Sequence, residues 1–205
     1  MAAAARGQAL ERRNGQDDGA RNRLPVRIIA GSRKGARVFA PAGRDTRPTG
    51  DRVREAAFSL IGPVDEAAVL DLSAGSGAMG LEALSRGADR AVFVESDRDA
   101  CRTIERNLDK LGLRGATVLC QDALRAVAAE AAAGRRYDLV LVDPPYDSFS
   151  QLQTPLATYL PAVLADAGLV VVETSAREEP ELPPLERRTS RRYGSARITL
   201  FEHAP

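Results

Sequence analysis

Ala68-Val-Leu-Asp-Leu-Ser-Ala-Gly-Ser-Gly-Ala-Met-Gly-Leu-Glu-Ala-Leu-Ser-Arg86 is the stretch on which the fold turns. Its first five residues are apolar apart from one carboxylate, the pattern of a strand buried on both faces. A glycine-rich turn follows, and a helix is predicted from about Ala78 to Arg86. Strand, tight turn and helix in this order open a doubly wound α/β sheet, whose ligands bind beyond the carboxyl ends of the strands.

Working outward, the same alternation continues. Arg90-Ala-Val-Phe-Val-Glu95 predicts a strand and 97–111 a helix; Ala116-Thr-Val-Leu-Cys120 precedes a helix over about 122–133. Tyr137-Asp-Leu-Val-Leu-Val-Asp143 precedes a helix over about 149–164, and Gly168-Leu-Val-Val-Val-Glu173 is the fifth strand. Apolar strands alternating with helices imply a parallel sheet covered on both faces. Beyond Pro184 the pattern becomes two β-prone runs, 185–192 and 197–202, around a Tyr193-Gly194-Ser195 turn, a terminal hairpin at the sheet edge. Upstream, Val26-Arg-Ile-Ile-Ala-Gly31 and Ala36-Arg-Val-Phe-Ala40 flank Ser32-Arg-Lys-Gly35 and read as another hairpin. Thr49 or Asp51 is placed to cap a helix to about Ile61, with Val53, Ala56, Ala57 and Leu60 on one face. The expected organisation is a disordered leader (1–22), a hairpin-and-helix extension (23–62) and an α/β domain (63–205).

The 205 residues carry a net charge of only +1, but the charge is segregated. Residues 1–62 hold 13 basic and 6 acidic groups, net +7; 63–186 hold 11 and 21, net −10; 187–197 hold five basic and none acidic. A GC-rich coding bias accounts for 27 of the 29 basic residues being Arg, but not for their position. Basic flanks suit phosphate contacts. Nothing resembles a membrane span or a secretory h-region. Two cysteines and a single histidine near the C-terminus exclude a zinc site and fit a reduced, cytoplasmic protein.

The predicted strand ends carry Asp71, Glu95, Asp122, Asp143 and Glu173. Asp71-Leu-Ser-Ala-Gly-Ser-Gly77 is the candidate cofactor loop, with Asp71, Ala74, Gly75 and Gly77 as its working residues. Gly75-Ser-Gly-Ala-Met-Gly80 satisfies G-x-G-x-x-G, which fits a dinucleotide and S-adenosylmethionine equally. Glu95 can hold two ribose hydroxyls in either case. Asp143-Pro-Pro-Tyr146 discriminates. The lone pair of an exocyclic base amine is delocalised into the ring. Asp143 and the Pro144 carbonyl can accept its two N–H bonds, orienting the amine and favouring localisation of the lone pair toward a methyl donor. Two prolines fix the acceptors in advance, and Tyr146 can stack on an extruded base. The plainer reading is a Pro-Pro turn that ends a strand.

Together, the Asp71–Gly77 loop, Glu95, Asp122 and Asp143-Pro-Pro-Tyr146 resemble a Rossmann-like class I methyltransferase. More narrowly, the chain is similar to the RsmD family, bacterial small-subunit rRNA guanine-N2 methyltransferases. The similarity rests on Arg27-Ile-Ile-Ala-Gly31, Arg47-Pro-Thr-Gly-Asp-Arg-Val-Arg-Glu55, Ala74-Gly-Ser-Gly-Ala-Met-Gly-Leu-Glu-Ala-Leu-Ser-Arg86 and Val142-Asp-Pro-Pro-Tyr146. It departs at Ser73, usually aromatic there, and at Ala30, commonly glycine. The resemblance implies a mostly parallel seven-stranded sheet. It also implies S-adenosylmethionine as donor and a guanine N2 of 16S rRNA, in an assembled or assembling small subunit, as acceptor. The Asp71–Gly77 loop would hold the methionine end, Glu95 the ribose and Asp122 the adenine amine. The N-terminal cations, among them Arg23, Arg27, Arg37, Arg44 and Arg54, would flank the entrance. Arg33, Lys34, Arg47, Thr49 and Arg52 are the candidate RNA contacts, although Arg52 and Glu55 could simply pair on one helical turn. A monomer without metal or membrane association is expected. The alternatives are a DNA adenine-N6 methyltransferase, an NAD-dependent oxidoreductase suggested by the glycines, and a non-catalytic RNA-binding module.

Overall fold

The computed structural model describes residues 26–41, 50–145 and 149–204. Seven strands form one sheet: β1 (Ala68–Leu72), β2 (Arg90–Glu95), β3 (Ala116–Cys120), β4 (Tyr137–Val142), β5 (Leu164–Ser175), β6 (Glu186–Tyr193) and β7 (Ala196–Glu202). Their order is β3-β2-β1-β4-β5-β7-β6. The first five run parallel, and β7 pairs antiparallel with both β5 and β6, so the sheet is mixed. Strands are added outward from β1 to β2 and β3 on one side and then to β4 and β5 on the other, which puts the topological switch point at the carboxyl end of β1. The terminal hairpin forms as expected, with its second strand inserted beside β5 and its first at the edge.

The period-2 alternation of the strands sorts the core into two layers. Val69, Phe93, Leu139 and Leu141 face one side, where α1 (Asp51–Ile61), α2 (Ala78–Ser85) and α3 (Arg98–Leu111) pack. Leu70, Leu72, Val94, Val140 and Val142 face the other, against α4 (Ala123–Ala132) and α5 (Phe149–Val163). In α3, Ala100, Ile104, Leu108 and Leu111 form the buried stripe; Asp97 caps its start through Asp99 N and Ala100 N, and a left-handed Gly112 ends it. Helix α2 is buried on all sides.

The N-terminal hairpin is shorter than the sequence suggests. It reduces to one antiparallel bridge, Arg27 with Arg37, flanked by hydrogen bonds from Ile28 N to Ala36 O and from Val38 N to Val26 O. Residues Gly31–Arg33 form a 3-10 turn. The reason is a competing acceptor. Ile29 N and Ala30 N donate to the two carboxylate oxygens of Glu82 on α2 at 2.7 and 2.9 Å, so the segment leaves the strand ladder. Ser85 Oγ donates to Ala30 O at 2.6 Å and accepts from Arg33 N at 3.0 Å. Gly31, at φ 81, lies so close that a Cβ would coincide with the Ser85 carbonyl.

Helix α1 also differs. Gly50, not Asp51, is its N-cap, and its buried face carries Arg54 with Ala57 and Phe58. The expected leader (1–22) and Arg23, Arg44, Arg47, Thr49 and Tyr146 lie outside the described residues.

Candidate active site

Strand register brings the predicted acids level. Leu72 is opposite Val94 on one side and Val142 on the other, so Ser73, Glu95 and Asp143 emerge from three adjacent strands at the same edge. Glu95 is in turn opposite Cys120, which puts the start of α4 on the same rim.

The glycine loop is tied at several points. Ala74 N donates to Val94 O at 2.9 Å and Gly77 N to Ala74 O at 2.7 Å. Ser73 adopts φ 65, an uncommon backbone for a residue other than glycine. Gly75 N donates to Glu95 Oε2 at 2.9 Å, while Glu95 Oε1 accepts from Asp97 N at 2.8 Å. Glu95 is therefore a clamp on the loop, and its Oε1 also accepts from Ser96 Oγ at 3.3 Å.

Asp71 faces α2, where its Oδ2 accepts from Gly80 N at 2.9 Å. That approach depends on the missing side chain: a Cβ at Gly80 would stand 2.8 Å from Phe93 Cζ and 3.0 Å from Asp71 Oδ2. Asp71 is 2% exposed. Burial pushes its carboxyl up to about 7; Asp143 and Glu95 add to the rise, and the Gly80 N–H opposes it. Three carboxyl groups thus gather within electrostatic reach at the switch point. Such a set repels a pyrophosphate and suits a ligand with positive charge. S-Adenosylmethionine, with its ammonium and sulfonium, fits.

Asp122 lies on the rim as the N-cap of α4, exposed, with Oδ1 accepting from Arg125 N at 3.0 Å. Asp143 is half-buried and Pro144 buried at the end of β4, with Pro145 exposed.

The candidate RNA residues divide. Lys34 and Arg52 are exposed. Arg33 is half-buried and spends its guanidinium on the end of α3: Nε donates to Leu111 O and Nη2 to Gly112 O. Arg54, expected among the surface cations, is fully buried. Its Nη2 donates to Asp51 Oδ1 at 3.0 Å and to Arg27 O, and its Nε is 3.8 Å from Glu82. Glu82 also pairs with Arg86 at 2.8 Å. The ion-pairing arginine of α1 is thus Arg54, and no Arg52–Glu55 pair occurs among the described residues.

Asn107 escaped the sequence reading. Its buried Nδ2 donates to Ser76 O of the glycine loop at 3.1 Å and to Phe39 O at 3.0 Å, and its Oδ1 accepts from Phe39 N at 2.7 Å. The available signal was a polar residue inside the apolar stripe of α3. Glu82, in a helix otherwise without charge, carried the same signal.

The family described as conserved hypothetical protein 95 matches residues 26–202. The "Putative rRNA methyltransferase YlbH" of Bacillus subtilis (strain 168) is 41% identical over 162 residues, covering 77% of this chain and 86% of that protein. "Ribosomal RNA small subunit methyltransferase D" of Escherichia coli (strain K12) is 38% identical over 150 residues, 73% of this chain and 74% of its own length. The solved structure of "Putative methyltransferase yhhF from Escherichia coli" superposes with a TM-score of 0.77 at 32% identity, covering 89% of this chain and 100% of that one.

Proposed function

Because the chain belongs to the family of conserved hypothetical protein 95, the RsmD family, and is an S-adenosylmethionine-dependent rRNA methyltransferase, we propose that its acceptor is a guanine N2 amine in 16S rRNA. The substrate is the assembled or assembling small subunit, and the enzyme works as a cytoplasmic monomer. The observation that carries the reading is that Asp143 and Pro144 directly follow β4, the strand paired with β1, and that Asp143 and Glu95 each stand one residue past the partner of Leu72. Amine acceptors and cofactor-holding acids thereby share one rim.

S-Adenosylmethionine supplies a methyl group already activated by its sulfonium. The chain's own residues have little covalent chemistry to perform. Asp71 and the backbone of Ala74, Gly75 and Gly77 hold the methionine end, Glu95 the ribose and Asp122 the adenine amine. Asp143 and the Pro144 carbonyl accept the two N–H bonds of the guanine amine, turning its lone pair toward the methyl group. Tyr146 stacks on the base. After attack, the surplus amine proton leaves to Asp143 Oδ or to water. Lys34, Arg47, Thr49 and Arg52 contact the RNA. Arg33 fixes the 23–62 extension to α3 and adds its charge there.

The test is methyl transfer from labelled S-adenosylmethionine to small subunits lacking the modification, followed by digestion to nucleosides. A labelled N2-methylguanosine peak is expected, and it should vanish with Asp143→Ala while cofactor binding persists. Label in another nucleoside would overturn the N2 assignment. Turnover by Asp143→Ala would remove Asp143 from the site.

A further inference from the structure

Phe39 is the one large apolar side chain among the described residues that is exposed, at 39%. It is not loose. Its backbone N–H and carbonyl are both held by the buried Asn107 amide of α3. Its ring receives two cations: the Arg106 guanidinium carbon lies 4.6 Å from the ring centroid and Lys110 Nζ 4.3 Å. Arg106 and Lys110 are four apart on α3 and exposed, and they extend a row of exposed cations through Arg98 and Arg102. Arg102 is matched by Asp99 at 2.7 Å. Among the described residues neither Arg106 nor Lys110 has an acidic partner within ion-pair distance, although Glu105 and Asp109 share the helix.

An aromatic face attracts a cation without neutralising it. Two positive charges gathered around one ring repel each other, and an anion bound beside them relieves that repulsion. The N–H groups that point away from the ring remain to bind it, in forked geometry for the arginine. The end of α3 adds Arg33, bound to the carbonyls of Leu111 and Gly112 immediately after Lys110. Arg106 stands eight residues along α3 from Arg98, roughly 12 Å at the helical rise. The cluster lies in the second half of α3, away from the helix start that follows β2. Asn107 links it to the rim through Ser76 O.

We propose that Phe39, Arg106 and Lys110 form a second docking point for RNA, binding backbone phosphates of the rRNA that flanks the methylated nucleotide. The proposal rests on the reading that the substrate is rRNA. RNA is favoured over an acidic protein surface because the cluster offers forked donors and no apolar surface beyond one ring already covered by cations.

The experiment compares the full chain with Arg106→Ala/Lys110→Ala and with Phe39→Leu. Binding to naked 16S rRNA and to unmodified small subunits is measured across a salt series. S-Adenosylmethionine binding serves as the folding control. Two lost phosphate contacts should flatten the slope of log K against log salt by about 1.4, which is about 25-fold weaker binding at 0.1 M salt. In turnover the loss should sit in KM rather than kcat. Phe39→Leu keeps apolar volume and removes the ring's charge distribution, so roughly a two- to five-fold loss is expected. An unchanged slope in the double variant with intact cofactor binding overturns the docking point alone. Weakened binding to subunits with unchanged binding to naked 16S rRNA assigns the cluster to a protein and also overturns it. If the wild-type chain binds and methylates neither RNA nor subunits, the rRNA reading fails and the docking point with it.

Discussion

Replacing Asp71 with asparagine should make the cofactor-free protein more stable, by an amount that grows with pH. In the folded state the carboxyl titrates at about 7 instead of 3.8, mainly because it is buried. A folded-state pKa above the unfolded one means that the folded protein binds more protons between the two values. Stability is then full below 3.8 and is lost as pH rises through 7. Each pH decade is worth about 1.4 kcal/mol, so the full interval amounts to about 4 kcal/mol. Asparagine keeps an oxygen to accept the Gly80 N–H and never ionises. Urea unfolding of both proteins without cofactor, compared at each pH, isolates the effect. The stability difference should be about 2 kcal/mol at pH 5 and about 4 kcal/mol at pH 8 in favour of Asp71→Asn. The variant should meanwhile lose affinity for S-adenosylmethionine, whose ammonium needs the charge. A difference that stays flat from pH 5 to 8, or an asparagine variant that is less stable throughout, would refute the argument. Full cofactor affinity in the variant would remove Asp71 from the methionine end.

Two further substitutions probe the frame around the site. Gly80→Ala puts a methyl against Phe93 and Asp71, so α2 must move; a loss of about 1–3 kcal/mol is expected. Thermal unfolding with and without Phe93→Leu checks it, since the smaller side chain should recover part of the loss. Arg54→Met leaves Glu82 buried without its nearest α1 cation and should cost about 3–5 kcal/mol. Adding Glu82→Gln should recover part of that in a double-mutant cycle; strictly additive losses would show that the pair is not coupled.

Arg54 and Arg33 show where local reasoning stops. Their position in the basic N-terminal stretch places both as surface cations beside the entrance. Arg54 is instead held inside by Asp51, Glu82 and the carbonyl of Arg27, with burial pulling its guanidinium below the usual arginine value. Arg33 closes the end of a helix 78 residues further along the chain. Neither use leaves a periodic trace, because the partner comes from another element. Asn107 and Glu82 left a faint trace, as polar residues at positions where the helical period demands apolar ones.

The alternation of apolar strands with helices, the glycine loop, and the acids that end the strands all follow from the sequence. Backbone geometry allows only periods of 2 and 3.6, and a parallel sheet must bury both faces. The sequence also nominated Asp143-Pro-Pro-Tyr146 as a candidate amine acceptor, since the chemistry it suggests is local to four residues. What only the tertiary structure decided was pairing at long range. Glu82 takes two N–H groups from the N-terminal segment and so shortens the expected hairpin. Asn107 ties Phe39 to the glycine loop, and Phe39 gathers two cations from the far part of α3. Hydrogen bonds and ion pairs act over a few ångströms in space. Which residues come that close is set by the packing of whole elements.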